Sequence, residues 1–241
     1  MQLPVPAGYK LAKYILMHVQ LYQICYNDDT CRGCKVQRID NRLRTEPYPT
    51  LESRTIVDEF NNVEPCDYVG FLSWKFEMKR PILIENIFKR MQDDNYQHDV
   101  YSFFGGFGTS HRIWQKAENW HKGIIDIGQM AFDKAGIKVN LKSLPYCPVI
   151  YQNAHVTRYE IYKEFVDTWL RPLVDVLEND PELQQLLIGR APYKVSNNDN
   201  NTPEQLMRSM GQPHYTMHPF VAERIFSTYL HYNPKTIKHF C

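Results

Sequence analysis

The chain has 241 residues, and 43% of them are hydrophobic, which is enough to bury the core of one large α/β domain. Its 28 Lys and Arg nearly balance its 27 Asp and Glu, so the net charge of +1 excludes a global field that would favour nucleic acid or a membrane surface. No apolar run reaches the roughly 20 residues that cross a bilayer, and the first residues lack the order of a signal peptide. We expect a soluble, cytoplasmic protein with no membrane span and a single domain over residues 1–241.

Apolar periodicity predicts strands and helices that alternate along the chain. Strands are expected at 21–26, 67–75, 99–104, 137–141 and 149–151. Helices are expected at 50–62, 81–91, 114–135, 159–178 and 219–230. This alternation, with no internal repeat, predicts an α/β fold with a mainly parallel sheet flanked by helices.

Single residues predict the details of these helices. Thr50 has the side chain of an N-cap, Gly136 is typical of a C-cap, and Pro172 predicts a kink in the long helix. The closing helix carries Glu223-Arg224 among apolar residues, a pair typical of a solvated face or of an ion pair to another element. Residues 190–203 are rich in Asn and poor in apolar residues, which predicts a mobile loop or lid.

The segment at 67–75, Asp-Tyr-Val-Gly-Phe-Leu-Ser-Trp-Lys, joins an apolar strand to polar residues at its carboxyl end. Gly70 lies inside a strand that should be buried on both faces, where Gly permits the close approach of a neighbouring backbone or a ligand. Open parallel sheets bind ligands outside the carboxyl ends of their strands. The residues expected at that end are Ser73, Trp74 and Lys75.

Two further segments carry weaker signals. Gly105-Gly-Phe-Gly108 could hold an anion on its amides with His111 and Arg112 beside it, and a flexible turn explains the segment equally well. Cys31 and Cys34 have the spacing of a metal knuckle, but no second ligand pair follows, so free thiols in a loop explain them as well.

A divalent cation is not supported by the carboxylates. The chain has no Asp-x-Asp triplet of the kind that holds a cation and a donor diphosphate. Asp67 and Asp99 each begin a predicted strand, where an Asp is typical of strand-edge capping or turn chemistry.

Four separated blocks of the sequence carry a resemblance to a known family. The first is Tyr68-Val-Gly-Phe-Leu-Ser-Trp-Lys-Phe76, and the second is Val149-Ile-Tyr-Gln-Asn153 followed by the aromatic-rich helix at 159–177. The third is His218-Pro-Phe-Val-Ala-Glu-Arg-Ile-Phe226, and a weaker fourth is Asn119-Trp-His121. In order and spacing these blocks resemble bacterial polysaccharide-locus glycosyltransferases with a GT-A-type α/β fold.

The resemblance implies an enzyme of polysaccharide biosynthesis that moves a sugar from a nucleotide-sugar donor to a glycan or other hydroxyl acceptor. It implies Glu223 as the base or acceptor anchor, and Arg224 as the charge that offsets the diphosphate leaving group. Lys75 would then contact phosphate, Trp74 would stack on the base or sugar, and Asn153 would bond a sugar hydroxyl. With the strand end and the glycine loop included, the expected substrate-binding residues are Ser73, Trp74, Lys75, Asn153, His111 and His218. A divalent cation, Mg or Mn, would be the cofactor, and the missing Asp-x-Asp leaves both the metal and the donor type open.

Two alternatives remain open at this point. One is a glycosyltransferase that acts on modified bases in nucleic acid, for which Arg38, Arg42 and Arg44 would be a contact surface or simply a solvated loop. The other is a noncatalytic carbohydrate- or partner-binding module that has kept the cleft and lost turnover, which the absent Asp-x-Asp motivates.

Overall fold

The computed structural model describes residues 17–25, 36–41, 50–73, 76–79, 82–103, 110–150, 153–189, 191, 202–210 and 212–240. The predictions for Cys31 and Cys34, for Gly105–Gly108 and for nearly all of the 190–203 loop fall outside these ranges. Within these ranges, no helix is long and apolar enough to cross a membrane.

The strands are β1 (Val19–Cys25), β2 (Gln37–Asp40), β3 (Tyr68–Leu72), β4 (Val100–Ser102), β5 (Ser110–His111), β6 (Cys147–Pro148), β7 (His155–Arg158) and β8 (Ile237–His239). Six of them form one sheet in the order β2-β1-β3-β7-β4-β8, and β5 pairs with β6 in a separate ribbon. Among these six described strands, β7 alone runs against its neighbours, since it is antiparallel to both β3 and β4 while the other pairings are parallel. The predicted mainly parallel sheet is confirmed, with one reversed strand.

The α-helices are α1 (Glu52–Glu59), α2 (Phe76–Lys79), α3 (Glu85–Asp93), α4 (Ile113–Glu118), α5 (Ile124–Lys134), α6 (Tyr159–Phe165), α7 (Arg171–Asn179), α8 (Pro181–Leu187), α9 (Pro203–Met210), α10 (His218–Ala222) and α11 (Ile225–Tyr232). A short 3₁₀ turn, Phe60–Asn62, follows α1, and a π-helical segment, Val166–Leu170, joins α6 to α7. Helices pack against both faces of the sheet, and the predicted α/β class is confirmed.

The strand β3 is buried along its whole length because a hydrophobic core lies on each face of the sheet. Val69 and Phe71 belong to the larger core, which also contains apolar residues of α1, α5, α6, α7 and α11. Tyr68 and Leu72 belong to the smaller core, which contains Ile87 and Met91 of α3. The alternation along β3 follows from the two-residue period of a strand.

Gly70 provides the close approach that the sequence predicts. A Cβ atom built on this residue would lie 2.9 Å from Val156 Cγ2, 3.0 Å from the His155 carbonyl oxygen and 3.1 Å from Leu21 Cδ2. These contacts come from β7 and β1, the two strands that flank β3. The glycine therefore lets the reversed strand β7 lie close against β3.

Gly70→Ala is expected to lower the free energy of unfolding by about 1–3 kcal/mol, because the added methyl must displace backbone as well as side chains. Urea denaturation of the purified variant measures the change. The matched control is Gly189→Ala, where the nearest atom would be 3.7 Å from the new Cβ and the effect should stay within about 0.5 kcal/mol. Equal losses in the two variants would contradict the packing argument.

The long helix expected at 159–178 runs through α6, the π-helical segment and α7 without a break. Pro172 stands in the first turn of α7, and the π-helical turn at Val166–Leu170 comes just before it. A proline has no amide proton to donate to a carbonyl of the preceding turn, and its ring would clash with that turn in a regular α-helix. The predicted irregularity is present, and it takes the form of a wider turn before the proline.

Several other expectations for single elements are wrong. Residues 137–141 form no strand, and the strand expected at 149–151 is not found at Val149 and Ile150, because β6 ends at Pro148. The helix expected at 114–135 is divided into α4 and α5 by residues 119–123, where Gly123 has φ 87° and Trp120 is 49% exposed. Thr50 does not cap α1, because its hydroxyl donates to the Glu178 carboxylate and Leu51 precedes the helix.

Gly136 ends α5 as expected. Its φ is 72°, the left-handed conformation that glycine adopts without cost, and its amide donates to the Asp133 carbonyl at 3.0 Å. The next amide, that of Ile137, donates to the Phe132 carbonyl at 2.9 Å, which completes the usual glycine-terminated helix end.

Candidate functional site

The carboxyl ends of β1 and β3 mark a point where the chain changes direction across the sheet. The chain passes from β1 to β2 on one side, and it returns later to place β3 on the other side. In open α/β sheets the connections diverge at such a point and leave a crevice for a ligand. Ser73 directly follows β3 at this edge. The reversed strand β7 begins at the same edge, which brings Asn153 there as well.

Glu52 joins these two residues. The Ser73 hydroxyl donates to Glu52 Oε1 at 2.9 Å, and the Asn153 side-chain amide donates to Glu52 Oε2 at 3.0 Å. All three side chains are partly exposed. We call these three residues the Glu52 cluster. Ser73 and Asn153 lie far apart in the chain, and the sequence predicts that both bind substrate. In the structure they share one carboxylate.

The first turn of α1 holds Glu52 in place because it is tied to α7 on both sides of this residue. Thr50 donates its hydroxyl to the Glu178 carboxylate, and Arg54 donates to Glu178 Oε2 at 2.8 Å and to Asp175 Oδ1 at 2.7 Å. These charge-assisted bonds raise the pKa of Arg54 against the opposing effect of its burial. The carboxylate of Glu52 also lies at the N-terminus of α1, where the helix dipole favours a negative charge.

Unusual backbone geometry occurs at two positions of this edge. Asn153 has φ 48°, a left-handed conformation that Asn adopts more readily than most residues because of its short polar side chain. Leu51, which directly precedes Glu52, has φ 53°, and a Leu there lacks this advantage. Such conformations persist only where surrounding contacts fix them, and they concentrate at functional sites.

Glu223 and Arg224 lie in a break between two helices. The single helix expected at 219–230 is wrong, because α10 ends at Ala222 and α11 begins at Ile225. Arg224 is only 8% exposed, and its guanidinium donates to the Phe220 carbonyl. Glu223 is partly exposed. The charged pair therefore interrupts the helix, with the carboxylate nearer the surface and the cation inside.

Two contacts join this break to the segment that carries Asn153. The His155 ring stacks on the Phe226 ring with centroids 4.1 Å apart and an interplanar angle of 8°. The Ser227 hydroxyl lies 3.1 Å from both the backbone nitrogen and the carbonyl oxygen of Ile150. His155 closely follows Asn153 in the chain, and Phe226 closely follows Glu223, so these contacts join the segment that carries Asn153 to the helix that follows Glu223.

His121 packs beside the same break. Its ring stacks on Phe220 with centroids 3.9 Å apart, and burial, with a smaller contribution from the charge of Arg224, lowers its pKa to about 4. His121 is therefore a neutral imidazole near neutral pH. In the sequence, His121 stands only in the weakest of the four blocks, because a lone histidine in a polar segment does not indicate that its side chain will be buried.

Two further candidates, His218 and His111, make no hydrogen bond to the Glu52 cluster among the described residues. His218 is 1% exposed: its Nδ1 lies 3.1 Å from the Thr216 hydroxyl, and its Nε2 lies 3.1 Å from the Gln184 amide nitrogen. Both ring nitrogens thus have protein partners, as in a structural residue. His111 is partly exposed in β5, within the separate ribbon. Trp74 and Lys75 lie outside the described residues, so their assignments stay predictions.

The two aspartates at strand starts have structural partners. Asp67 accepts from the backbone amide of His18 at 2.7 Å. Asp99 accepts from the Thr236 hydroxyl at 2.8 Å and from Arg158 Nε at 3.1 Å, and these contacts lower its pKa against the effect of burial. Both side chains join strand edges, as expected of capping residues.

The described residues offer no evident cation site, because no group of three or more His, Cys, Asp and Glu side chains lies close enough among them to hold a metal ion. At the Glu52 cluster, each carboxylate oxygen already accepts a hydrogen bond.

Comparison with known proteins gives one distant likeness. No protein-family model matches the sequence, and no curated protein matches it. Among solved structures, the fold is similar to the apo structure of WbbM, described as a bifunctional glycosyltransferase, with a TM-score of 0.44 and 15% sequence identity. The likeness covers 92% of this chain and 44% of that one, so this chain spans less than half the length of WbbM. A likeness of this extent does not assign a function to this chain.

Proposed function

We propose that the protein is a glycosyltransferase that moves a sugar from a nucleotide-sugar donor to a glycan or other hydroxyl acceptor. The observation that carries this proposal is the Glu52 cluster, which joins Ser73 and Asn153 at the edge where β1 and β3 diverge. Ligands of α/β proteins bind at this position of the sheet. The resemblance of the segments around Ser73, Asn153 and Glu223 to polysaccharide-locus glycosyltransferases supplies the reaction class.

In the proposed reaction, the acceptor hydroxyl oxygen forms a bond to the anomeric carbon of the donor sugar. The bond from that carbon to the diphosphate breaks, and the nucleoside diphosphate leaves with the electron pair. Glu223 takes the proton of the attacking hydroxyl, a role that suits a partly exposed carboxylate. Arg224, close behind it, adds positive potential that favours the charge developing on the leaving group.

The structure supports an arrangement in which binding and proton transfer use different elements. Asn153 and Ser73 stand at the sheet edge, and Glu223 stands in the break between α10 and α11. The His155–Phe226 stack and the Ser227–Ile150 bonds hold these elements together. The proposal requires a donor held at the sheet edge to direct its reacting carbon towards Glu223.

A thermal-stability screen of nucleoside diphosphate sugars tests this proposal. A donor present at about 100 times its dissociation constant should add about 2.7 kcal/mol of stability. Asn153→Ala should weaken that donor's binding about tenfold through the loss of one hydrogen bond to ligand, and Asn179→Ala, an exposed amide at the end of α7, should leave it unchanged.

The proposal would have to be abandoned if no nucleoside diphosphate sugar stabilised the protein and none were hydrolysed or transferred. Binding of a glycan without any affinity for a donor would favour the noncatalytic carbohydrate-binding module instead.

A further inference from the structure

We infer that the ribbon formed by β5 and β6 binds an anionic sugar unit of the acceptor glycan, with Tyr146 against the face of the sugar and Arg112 on its negative group. This inference rests on the proposed function, because it names the class of acceptor that the transferase would use. The ribbon is a two-stranded sheet of its own, separate from the sheet that carries the Glu52 cluster. We call Arg112 and Tyr146 the ribbon pair.

The register of the ribbon places Arg112 and Tyr146 together. The strands β5 and β6 run antiparallel, with His111 opposite Cys147. Arg112 and Tyr146 are the next residues on the two chains, so their side chains are expected on one face. The guanidinium carbon of Arg112 indeed lies 5.5 Å from the centroid of the Tyr146 ring. Because side chains alternate along a strand, the ribbon pair faces away from the buried Cys147, and Tyr146 is 58% exposed.

Both members of the ribbon pair stand on fixed backbone. Arg112 directly precedes α4. The side-chain amide of Gln115, in the first turn of this helix, donates to the Leu141 carbonyl at 3.1 Å and to the Leu144 carbonyl at 3.3 Å. These bonds hold the segment that leads into Tyr146 against α4. The ribbon pair is therefore preorganised, so less conformational entropy is lost when a ligand binds.

The surface around the ribbon pair lacks negative charge. Among the described residues, no carboxylate pairs with the Arg112 guanidinium, and residues 100–117 and 134–159, which contain the two strands, include no Asp or Glu. The first two acidic residues after the earlier segment have other partners. Glu118 accepts from the backbone amide of Gly123 at 2.7 Å, and Asp126 pairs with Lys142 at 2.8 Å. The ribbon pair thus offers a positive charge beside an exposed aromatic ring.

This combination is complementary to an anionic sugar. An aromatic ring packs on the apolar face of a sugar, and a guanidinium bonds a carboxylate or phosphate through two parallel N–H groups. One guanidinium matches one negative group. Nucleic acid instead requires several cations along its backbone, and Lys142, the basic residue closest to Tyr146 in the sequence, is already paired with Asp126.

The anchoring of the ribbon favours the acceptor over the donor. The residues proposed to bind the donor stand at the edge of the large sheet, whereas the ribbon is bonded to α11, the helix that follows Glu223. Trp114 of α4 donates its indole N–H to the Thr228 hydroxyl at 2.9 Å. The backbone nitrogen of Ile150, two residues after β6, lies 3.1 Å from the Ser227 hydroxyl. Both strands of the ribbon are thereby attached to the helix next to the proposed base.

Four variants separate the two contacts. Arg112→Gln removes the charge, and its matched control is Arg208→Gln, which removes an exposed guanidinium from α9. Tyr146→Ala removes the ring, and its matched control is Tyr146→Phe, which keeps the ring and removes the hydroxyl. Urea denaturation of all four variants establishes that they fold.

Affinities are measured by calorimetry for two pairs of probes, each a charged and an uncharged form of one oligosaccharide. The pairs are tetragalacturonate with its methyl ester, and maltose 6-phosphate with maltose. We expect the wild-type protein to bind the charged form of at least one pair about tenfold more tightly than the uncharged form. Arg112→Gln should lose this preference, and Arg208→Gln should keep it. Tyr146→Ala should weaken the charged form about tenfold, and Tyr146→Phe should leave it unchanged.

The pair that shows the preference identifies the anion as a carboxylate or a phosphate. Equal behaviour of the charged and uncharged forms with the wild-type protein, including no binding of any of them, would overturn the inference. An Arg112→Gln variant that keeps the preference would overturn it as well. Binding of an oligothymidylate that depends on Arg112, with no such binding of a charged oligosaccharide, would assign the surface to nucleic acid instead.

The inference and the proposed function can fail separately. If a charged oligosaccharide binds with the expected dependence on Arg112 and no nucleoside diphosphate sugar binds or is hydrolysed, the transfer reaction fails while the ribbon surface stands. If a sugar is transferred at a rate that Arg112→Gln leaves unchanged at every acceptor concentration, the proposed function stands and the inference fails.

Discussion

Glu223→Gln is expected to lower the rate of sugar transfer by about 100- to 10,000-fold, the contribution that a positioned general base makes. Gln keeps the size of the side chain and cannot accept a proton from the acceptor hydroxyl. The measurement is the release of nucleoside diphosphate at saturating donor and acceptor. Because Asn153 and Ser73 are unchanged, the dissociation constant of the donor should stay within about threefold of the wild-type value.

Glu160→Gln is the matched control for this experiment. Glu160 is exposed in the first turn of α6, and its replacement should leave the rate unchanged. A Glu223→Gln variant that transfers sugar at the wild-type rate would remove Glu223 from the mechanism. Loss of donor binding together with the rate would instead show that Glu223 contributes to the binding site.

Stability should fall steeply as the pH decreases below about 6.5, because three histidines are buried as neutral rings. His121, His155 and His218 are 5%, 3% and 1% exposed. Burial lowers their pKa values to about 4, about 3 and about 4, with the Arg224 charge as a smaller cause at His121. In the unfolded chain each ring has an ordinary pKa of about 6.5.

The sign follows from proton binding in the two states. Below pH 6.5 the unfolded chain takes up protons that the folded protein cannot take up until the pH approaches 4, so acid favours unfolding. The contribution of the three neutral rings to the free energy of unfolding is therefore complete above about pH 6.5. It decreases as the pH falls from about 6.5 towards 4. Each histidine accounts for a loss of about 2 kcal/mol between pH 6.5 and pH 5.

Urea denaturation at a series of pH values measures this loss. His218→Gln should reduce the loss by about one third, since the Gln amide can bond to Thr216 and Gln184 without titrating. His18→Gln, at an exposed side chain, should keep the wild-type pH dependence. If the His218→Gln variant lost stability with acid as steeply as the wild-type protein, the buried rings would not be the cause.

The elements that were predicted well have long runs of apolar residues. The strand β3 and the helices α6 and α7 were expected close to their observed positions, because the spacing of their apolar residues indicates both the type of element and its buried face. The strands β2, β7 and β8 were missed, since each has only three or four residues and alternation cannot be recognised over so short a run. The reversed direction of β7 follows from pairing with distant strands, which no local pattern encodes.

The candidate site was likewise predicted only in part. Ser73 and Asn153 were expected to bind substrate, but nothing in the sequence indicated that they share a partner. Glu52 was missed because an acidic residue in the first turn of a helix is ordinary, where it interacts favourably with the helix dipole. The break at Glu223-Arg224 was missed because the apolar residues on both sides continue the helical period.

The sequence by itself determined which residues are apolar, where β3, α6 and α7 lie, and that a polar group follows the buried strand at 68–72. Only the tertiary structure decided that β7 runs against β3 and β4, since this direction follows from pairing with strands distant in the chain. It also decided that the Glu52 carboxylate accepts hydrogen bonds from both Ser73 and Asn153. Hydrogen-bond partners depend on which side chains meet in space, so only the folded chain shows that these two residues, far apart in the sequence, share one carboxylate.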